Sequence, residues 1–376
     1  MDDNNIDFSS MHDGDYDEEV YRRIGVAAPS FGATTFEPSS LDPEAQSTQA
    51  NKILHQASPP EAFRNGVWSV TDDQISELPD LYQLDPSAVF IPDESPEQIT
   101  ARISGELRDR SIEAEFDQEH AKATCTTTEG VEFRIKLYRG RGKFSNGTIV
   151  EVQRRFGTAA NFHADTSAIL DRARGKQIAK ATLRSAKDVL PLVADQEDDY
   201  QPDGSSSLKM VAKMLNQPGY DSHFLALQTL SSLTDVQKMG TTTVKSVAKE
   251  LIKENNEVGN KILSMILNSK GEDETFKLRT LAMTILGNTL QAVSKEEISD
   301  SLREQLQPVL LRELRAAHKN QRNAVQAAKC VESLLTVEDS SFADYDEALK
   351  IAMEVGRSRH LALERQVEKC FKKIQA

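Results

Sequence analysis

The residues with the clearest chemical potential in this chain are cations between positions 131 and 176. That segment holds ten lysines and arginines against four acidic residues, a net charge of +6, so the rest of the −14 chain carries −20. Concentrated positive charge attracts anionic ligands. A solvated sheet face, or one covered by the chain's own acidic N-terminal tail, fits the same charges equally well. The predicted anion- or partner-contact residues are Arg134, Lys136, Arg139, Arg141, Lys143, Arg154 and Arg155.

Patterns typical of catalysis or metal binding are not found in the sequence. It contains no Walker loop, no nucleophile elbow, no HExxH pair and no paired CxxC. The seven histidines are scattered, and the three cysteines, Cys125, Cys330 and Cys370, are far apart. Gly140-Arg-Gly142-Lys143 resembles a phosphate cradle, but a cradle leads into a helix and here a second strand follows. We therefore predict no catalytic residues, no metal site and no cofactor, and hence no enzyme.

The basic residues fall on two predicted strands joined by a turn. Hydrophobic and polar residues alternate over 131–137, which is typical of a half-buried strand. Asn146-Gly147 favours a tight hairpin turn, and a second strand is predicted over 148–156. Side chains two apart on a strand point to the same face. The cations predicted to share the outer face, away from the hydrophobic residues, are Arg134, Lys136 and Arg154.

This hairpin belongs to a predicted α+β unit of about 80 residues. Upstream, Ser95-Pro96-Glu97-Gln98 predicts a helix start with a capping box. A further strand is predicted near 119–127. Downstream, Gly157 breaks the second strand, a short strand extends to Phe162, and a final helix follows. The predicted order is helix, three strands, short strand, helix.

The sequence VEVQRRFGTAANFH resembles the closing strand, glycine corner and last-helix entry of the kinase-associated domain, the C-terminal module of AMP-activated and microtubule-affinity-regulating protein kinases. The similarity covers about 95–175, and nothing else in this sequence resembles the kinase domain that usually precedes the module. The resemblance implies an antiparallel sheet of about four strands flanked by two helices, which binds anionic phospholipid headgroups or docks onto a kinase catalytic domain. The matching positions are Val150, Val152, Arg154, Arg155, Gly157, Thr158 and Phe162.

Two segments of different character precede this unit. Residues 1–60 are acidic, rich in Ser, Thr, Pro and Asp, and without hydrophobic periodicity, so we predict a disordered tail. Residues 61–94 are too apolar for a free linker, and their prolines prevent a long helix. They form either an extended arm that packs Trp68 on the chain's own domains, or a linear motif in which Trp68 is the anchor for a partner.

From residue 176 to 376 the patterns are helical throughout. Helices are predicted over 178–193, 208–215, 224–233, 244–252, 262–267, 278–293, 302–314, 324–335, 348–355 and 361–374. Four Ala/Leu-rich segments share one pattern and begin near 224, 278, 324 and 361, an irregular period of 37 to 54 residues. Armadillo and HEAT units have periods of about 40 to 47 residues. The region therefore resembles an armadillo/HEAT-like helical domain, with an irregular helical bundle as the alternative. Such stacks offer an extended groove to protein partners.

These patterns predict a non-catalytic adaptor or scaffold in the cytoplasm. The start of the sequence lacks the features of a secretory signal, and no apolar run approaches the roughly 20 residues of a membrane span. The helical region would bind protein partners, and the α+β module would dock a kinase catalytic subunit or another partner. A first alternative is a peripheral protein that binds an anionic phospholipid membrane. RNA binding is a weaker alternative, because only Tyr138 stands among the cations as a stacking platform.

Overall fold

The computed structural model describes residues 68–79, 81–176, 204–267, 273–335 and 342–375. All of them belong to the second of the chain's two units, Pro59–Ala376. The predicted disordered tail, the first residues of the arm and a helix predicted over 178–193 lie outside these described residues.

A mainly antiparallel sheet forms the α+β module. The strands follow the order β2-β6-β5-β4-β3, and a short β1 pairs in parallel with the end of β5. Two helices, α1 and α2, contact each other and the sheet. The sheet is larger than the predicted four strands because residues before Ser95 contribute two of them. The elements are β1 (Ser76–Glu77), β2 (Ala88–Pro92), α1 (Pro96–Asp109), β3 (Glu113–Asp117), β4 (Lys122–Thr126), β5 (Glu132–Arg139), β6 (Gly147–Phe156) and α2 (Ala159–Ala173).

The predicted start of α1 at Ser95 and Pro96 is confirmed, although the described contacts include only one of the two hydrogen bonds of the predicted capping box. Ser95 is the N-cap, its hydroxyl accepts a hydrogen bond from the backbone N–H of Gln98 at 3.4 Å, and Pro96 begins the helix. The hydrophobic stripe on α1 is buried together with one face of the sheet. This core of the module contains Ile99, Ile103, Leu107, Phe133, Ile135, Leu137, Val150, Val152, Ile169 and Leu170.

The predicted β5–β6 hairpin is also confirmed, but its connection is longer than a two-residue turn. A short 3₁₀ turn, Gly142–Phe144, precedes Asn146, which has the positive φ of +61° that the sequence predicts. At Gly140 the backbone passes very close to the other side of the loop, and a Cβ there would lie 1.8 Å from the carbonyl oxygen of Phe144. Only glycine fits this position without moving the backbone.

The predicted short strand before α2 is wrong. Gly157, with φ of +99°, turns the chain, and α2 begins directly afterwards with Thr158 at its N-cap. Phe162 therefore lies in the first turns of a helix and packs on Phe133, with 6.2 Å between the ring centroids. The sequence Thr-Ala-Ala after a glycine is a good helix start, so the helix begins where the strand pattern ends.

The strand predicted near 119–127 is shorter in the structure, where it is β4 (Lys122–Thr126). The residues just before it form a second strand, β3, which the sequence patterns did not predict. Strands β3 and β4 are antiparallel, with Glu113–Asp117 paired to Lys122–Thr126. The chain turns between them at His120 and Ala121. Ala121 has a φ of +48°, so the chain reverses there instead of extending. Ala114 and Phe116 thus belong to a separate strand at the edge of the sheet.

The prediction of Trp68 as an anchor for a partner is wrong. Its side chain is fully buried and stacks on Phe116, with 5.7 Å between ring centroids and 7° between ring planes. Its backbone N–H donates to the hydroxyl of Ser104 at 2.9 Å. The described part of the arm therefore packs on the chain's own module. An indole at the start of an apolar arm fits both interpretations, which is why the sequence did not decide between them.

The rest of the described chain is helical, as predicted. Each helix predicted after residue 204 is present, with ends that differ from the prediction by a few residues. Their hydrophobic faces form a single core from Leu208 to Cys370. The helices are α3 (Gly204–Leu215), α4 (Tyr220–Leu233), α5 (Val236–Met239), α6 (Thr241–Leu251), α7 (Glu257–Leu267), α8 (Asp273–Ala292), α9 (Asp300–Arg315), α10 (Gln321–Leu334), α11 (Phe342–Arg359) and α12 (Leu361–Gln375).

The helices contact one another in a regular pattern. Helix α4 packs on α8, α8 on α10, and α10 on α12, so these four form one continuous row. They are the four Ala/Leu-rich segments of the sequence. Helix α3 packs on α6 and α7, and α9 packs on α11, so these helices flank the row. We call α4, α8, α10 and α12 the inner row.

Candidate functional site

The seven predicted contact cations do not form one surface. Arg139, Arg141 and Lys143 are exposed at the β5–β6 turn, which we call the hairpin tip. Arg154 and Arg155 lie at the opposite end of β6. The register pairs Arg139 with Thr148 but Glu132 with Phe156. Seven residue steps along a strand separate the two groups by roughly 24 Å.

Arg154 does not share the outer face with Arg134 and Lys136, so that prediction is wrong. The regular register of the two strands places Arg154 opposite Phe133, on the core side of the sheet. Its guanidinium is exposed because the sheet ends there, and it donates to the carbonyl of Gly157 at 3.0 Å. The sequence does contain a signal for the core side: Arg154 follows the buried Val150 and Val152 at the two-residue spacing of a single strand face.

The outer face carries acidic as well as basic groups. Lys136 lies opposite Glu151, which is 1% exposed and accepts a hydrogen bond from the side-chain amide of Gln153 at 3.2 Å. The Lys136 ammonium also lies 4.9 Å from the centroid of the Tyr138 ring. Glu151 partly offsets the positive charge of this face, so the strongest exposed concentration of cations in the hairpin is its tip.

At the far end of the sheet a cation from the helical region joins the module. Lys277, on α8, forms an ion pair with Glu132 at 2.8 Å and lies 5.7 Å from the ring centroid of Phe156. Phe156 is 51% exposed. Sequence reasoning missed Lys277 because it lies 145 residues after Glu132 and carries no local signal.

The module is attached to the helical region by further polar contacts. The guanidinium of Arg108 donates to the carboxylate of Glu364 and to the carbonyl of Arg357, both at 2.6 Å. The hydroxyl of Ser111 accepts a hydrogen bond from the backbone N–H of Ala362 at 2.8 Å. We call the surface formed by Arg108, Ser111, Glu113 and their contacts the docking interface.

A buried histidine lies beside the docking interface. His360 is fully buried, and its Nδ1 accepts a hydrogen bond from the backbone N–H of Leu363 at 3.2 Å. Burial lowers the pKa of His360 to about 4, so the ring is neutral at physiological pH. A neutral ring that accepts a backbone hydrogen bond between helices has a structural role.

A cleft opens between α6, α7, α8 and the start of α9. Its volume is about 360 Å³, and its walls are mainly aliphatic. Its described lining residues include no histidine or cysteine. The lining residues are Leu251, Ile252, Lys253, Glu254, Gly259, Asn260, Ile262, Leu263, Ile266, Ile285, Leu286, Thr289, Ser299, Ser301, Leu302 and Gln305.

The described residues contain no group of three potential metal ligands. The three cysteines are fully buried, and burial raises the pKa of each thiol, to about 12 for Cys330 and Cys370. Thiols with such pKa values are protonated at neutral pH and are poor nucleophiles.

None of the described helices combines the length and the apolar character needed to cross a membrane. Comparison of the chain with protein-family models, with curated proteins and with solved structures finds no match in any of the three.

Proposed function

We propose that the protein is a non-catalytic adaptor whose helical region, an armadillo- or HEAT-like stack, binds a protein partner along the inner row. The successive packing of α4, α8, α10 and α12 supports this proposal most strongly. Helices stacked in this way create a long surface on which each helix contributes a few side chains to a partner.

The surface of the inner row carries polar groups suited to this role. Lys329, on α10, is largely buried, and burial lowers the pKa of its ammonium, an effect to which nearby Lys369 of α12 contributes. Arg365 and Lys369 are exposed, one turn apart on α12. The two exposed cations, Arg365 and Lys369, favour a partner that presents acidic side chains.

Charge reversal on the row tests the adaptor function. We expect affinity purification with the intact chain to recover a partner that also binds the purified protein. The double variant Arg365→Glu/Lys369→Glu should weaken this binding at least tenfold. The matched control is Lys209→Glu/Lys213→Glu, because these two exposed lysines are also one turn apart but lie on α3, outside the row. No directly binding partner, or equal loss with both variants, would contradict the proposal.

For the α+β module, we propose docking onto a kinase catalytic domain. The support is its resemblance to the kinase-associated domain together with its arrangement, an antiparallel sheet packed on two helices. A panel of purified kinase catalytic domains should include at least one that the intact chain binds and inhibits. Failure to bind any member would leave the adaptor function to the helical region alone.

Anionic phospholipid binding is the second candidate function, and the hairpin tip favours it. Arg139, Arg141 and Lys143 are exposed on one loop, and each cation near an anionic leaflet contributes about 1 kcal/mol. Arg141→Glu/Lys143→Glu should abolish sedimentation with phosphatidylserine vesicles, whereas Lys209→Glu/Lys213→Glu should not. Equal sedimentation with neutral phosphatidylcholine vesicles would exclude this function.

A further inference from the structure

The cleft between α6, α7, α8 and the start of α9 has the properties of a binding site. Its volume of about 360 Å³ lies within the range of roughly 300 to 1,000 Å³ that is usual for ligand pockets. The walls are branched aliphatic side chains from three helices, among them Ile262, Leu263 and Ile285. An aliphatic group placed there would remove apolar surface from water on both sides.

The charges around the cleft exclude an ionic ligand. The two charged residues that line it, Lys253 and Glu254, are adjacent and of opposite sign. Burying an unpaired charge among aliphatic walls is strongly unfavourable, so an uncharged occupant is complementary to this surface.

The cleft also contains hydrogen-bonding groups that are uncharged. Thr289 is 3% exposed, and its hydroxyl has no hydrogen-bond partner among the described residues. Buried hydroxyls are usually hydrogen-bonded, so this group has capacity for a ligand. Asn260, Ser299, Ser301 and Gln305 line the same cleft. Amide and hydroxyl groups of this kind match the N–H and C=O groups of a peptide backbone.

From these features we infer that the cleft binds a short peptide segment of the partner protein, with aliphatic side chains (Leu, Ile or Met) between α7 and α8. The segment's backbone amides bond to Thr289 and the neighbouring polar groups. This inference rests on the proposed adaptor function and identifies a second contact region for the same partner, apart from the inner-row cations.

Panning a random 12-residue peptide library on the intact chain tests the inference. Enriched peptides should share two or three aliphatic residues and should bind Leu263→Glu at least tenfold more weakly than the natural chain. The matched control is Leu267→Glu, because Leu267 is on the same helix, 38% exposed and outside the cleft. Thr289→Val should weaken binding about two- to tenfold, as expected for one lost hydrogen bond.

Three outcomes would overturn the inference: no enrichment, enriched peptides without aliphatic residues, or peptides that bind Leu263→Glu and Leu267→Glu equally well. Thermal unfolding of each variant separates lost binding from lost structure. If a partner recovered with the intact chain still binds Leu263→Glu fully, the assignment of the cleft fails but the adaptor function stands.

Discussion

Glu113 at the start of β3 accepts a hydrogen bond at 2.9 Å from the backbone N–H of Gln321, the first residue of α10. A carboxylate from the edge of the sheet thus sits at the positive end of a helix in the other part of the chain. This contact fixes the module against the inner row. It also makes the docking interface sensitive to pH.

Replacing Glu113 by glutamine should change the pH dependence of stability. Burial raises the pKa of Glu113, partly offset by nearby Arg322, so its contribution to stability is greatest at low pH and decreases as the pH rises through the folded-state pKa. Glutamine retains an acceptor and does not titrate. We expect the free energy of unfolding of Glu113→Gln, relative to the natural chain, to increase between pH 4 and pH 7 in urea titrations.

Glu113→Ala is the control for that prediction. It removes the acceptor altogether and should lower the free energy of unfolding by about 1 kcal/mol, as expected for a lost helix N-terminal acceptor. If the difference between Glu113→Gln and the natural chain did not change with pH, the raised pKa would be contradicted.

The buried pair Arg279–Glu313 should be the most sensitive polar contact in the helical region. The two side chains are 2.5 Å apart, Glu313 is 5% exposed, and its second oxygen accepts from the side chain of Asn323 at 3.2 Å. Arg279→Ala leaves a buried carboxylate without its main cation and should cost about 3 to 5 kcal/mol of unfolding free energy in urea.

The exposed pair Lys350–Asp346 gives the comparison for the buried one. Its atoms are 2.6 Å apart, almost as close, but Lys350→Ala should change stability by less than about 0.5 kcal/mol because water screens the charges. Similar losses in Arg279→Ala and Lys350→Ala would show that burial does not set the strength of these pairs.

Two glycines should respond in opposite directions to alanine. Gly140→Ala forces a Cβ against the carbonyl of Phe144 and should destabilise the hairpin tip by more than 1 kcal/mol. Gly105 lies inside α1, and outside that helix's own backbone no atom of the described residues is within 4 Å of an added Cβ, so Gly105→Ala should stabilise the protein by up to about 1 kcal/mol. Melting temperatures of the two variants should fall on either side of that of the natural chain.

Ser111 combines strain with a useful hydrogen bond. Its φ is +58°, a conformation that is unfavourable for residues other than glycine, and its hydroxyl bonds the backbone N–H of Ala362. Ser111→Ala keeps the strain and loses the bond, so it should cost about 1 to 2 kcal/mol. Ser111→Gly loses the bond but relieves the strain. We expect Ser111→Gly to unfold at a higher urea concentration than Ser111→Ala, and the reverse order would contradict this account.

Local patterns in the sequence were sufficient for most of the elements. The start of α1 at Ser95 and the alternation over 131–137 depend on neighbours a few residues apart, and both predictions are confirmed. The helices after residue 204 have strong periodicity and were placed to within a few residues. The short strand predicted before Phe162 is wrong because Gly157 ends the strand pattern and the helix begins directly after it.

The surface could not be predicted in the same way. The contacts of Glu132 with Lys277 and of Glu113 with Gln321 join residues more than 140 positions apart, and periodicity does not indicate such pairs. The division of the cations between the two ends of the hairpin follows from the length and register of its strands, which charge counting ignores. The burial of Trp68 and the shape of the cleft depend on how elements that are distant in the sequence pack together.

Trp68 is the only tryptophan of the chain, and it stacks on Phe116 close to the docking interface. A small cavity there is lined by Phe116 and Arg108 from the module and by Gln321 and Arg359 from the helices. The tryptophan fluorescence of the protein therefore originates beside the junction of its two parts. Light emitted by one indole ring can report, without any added label, whether the junction stays closed when a partner arrives.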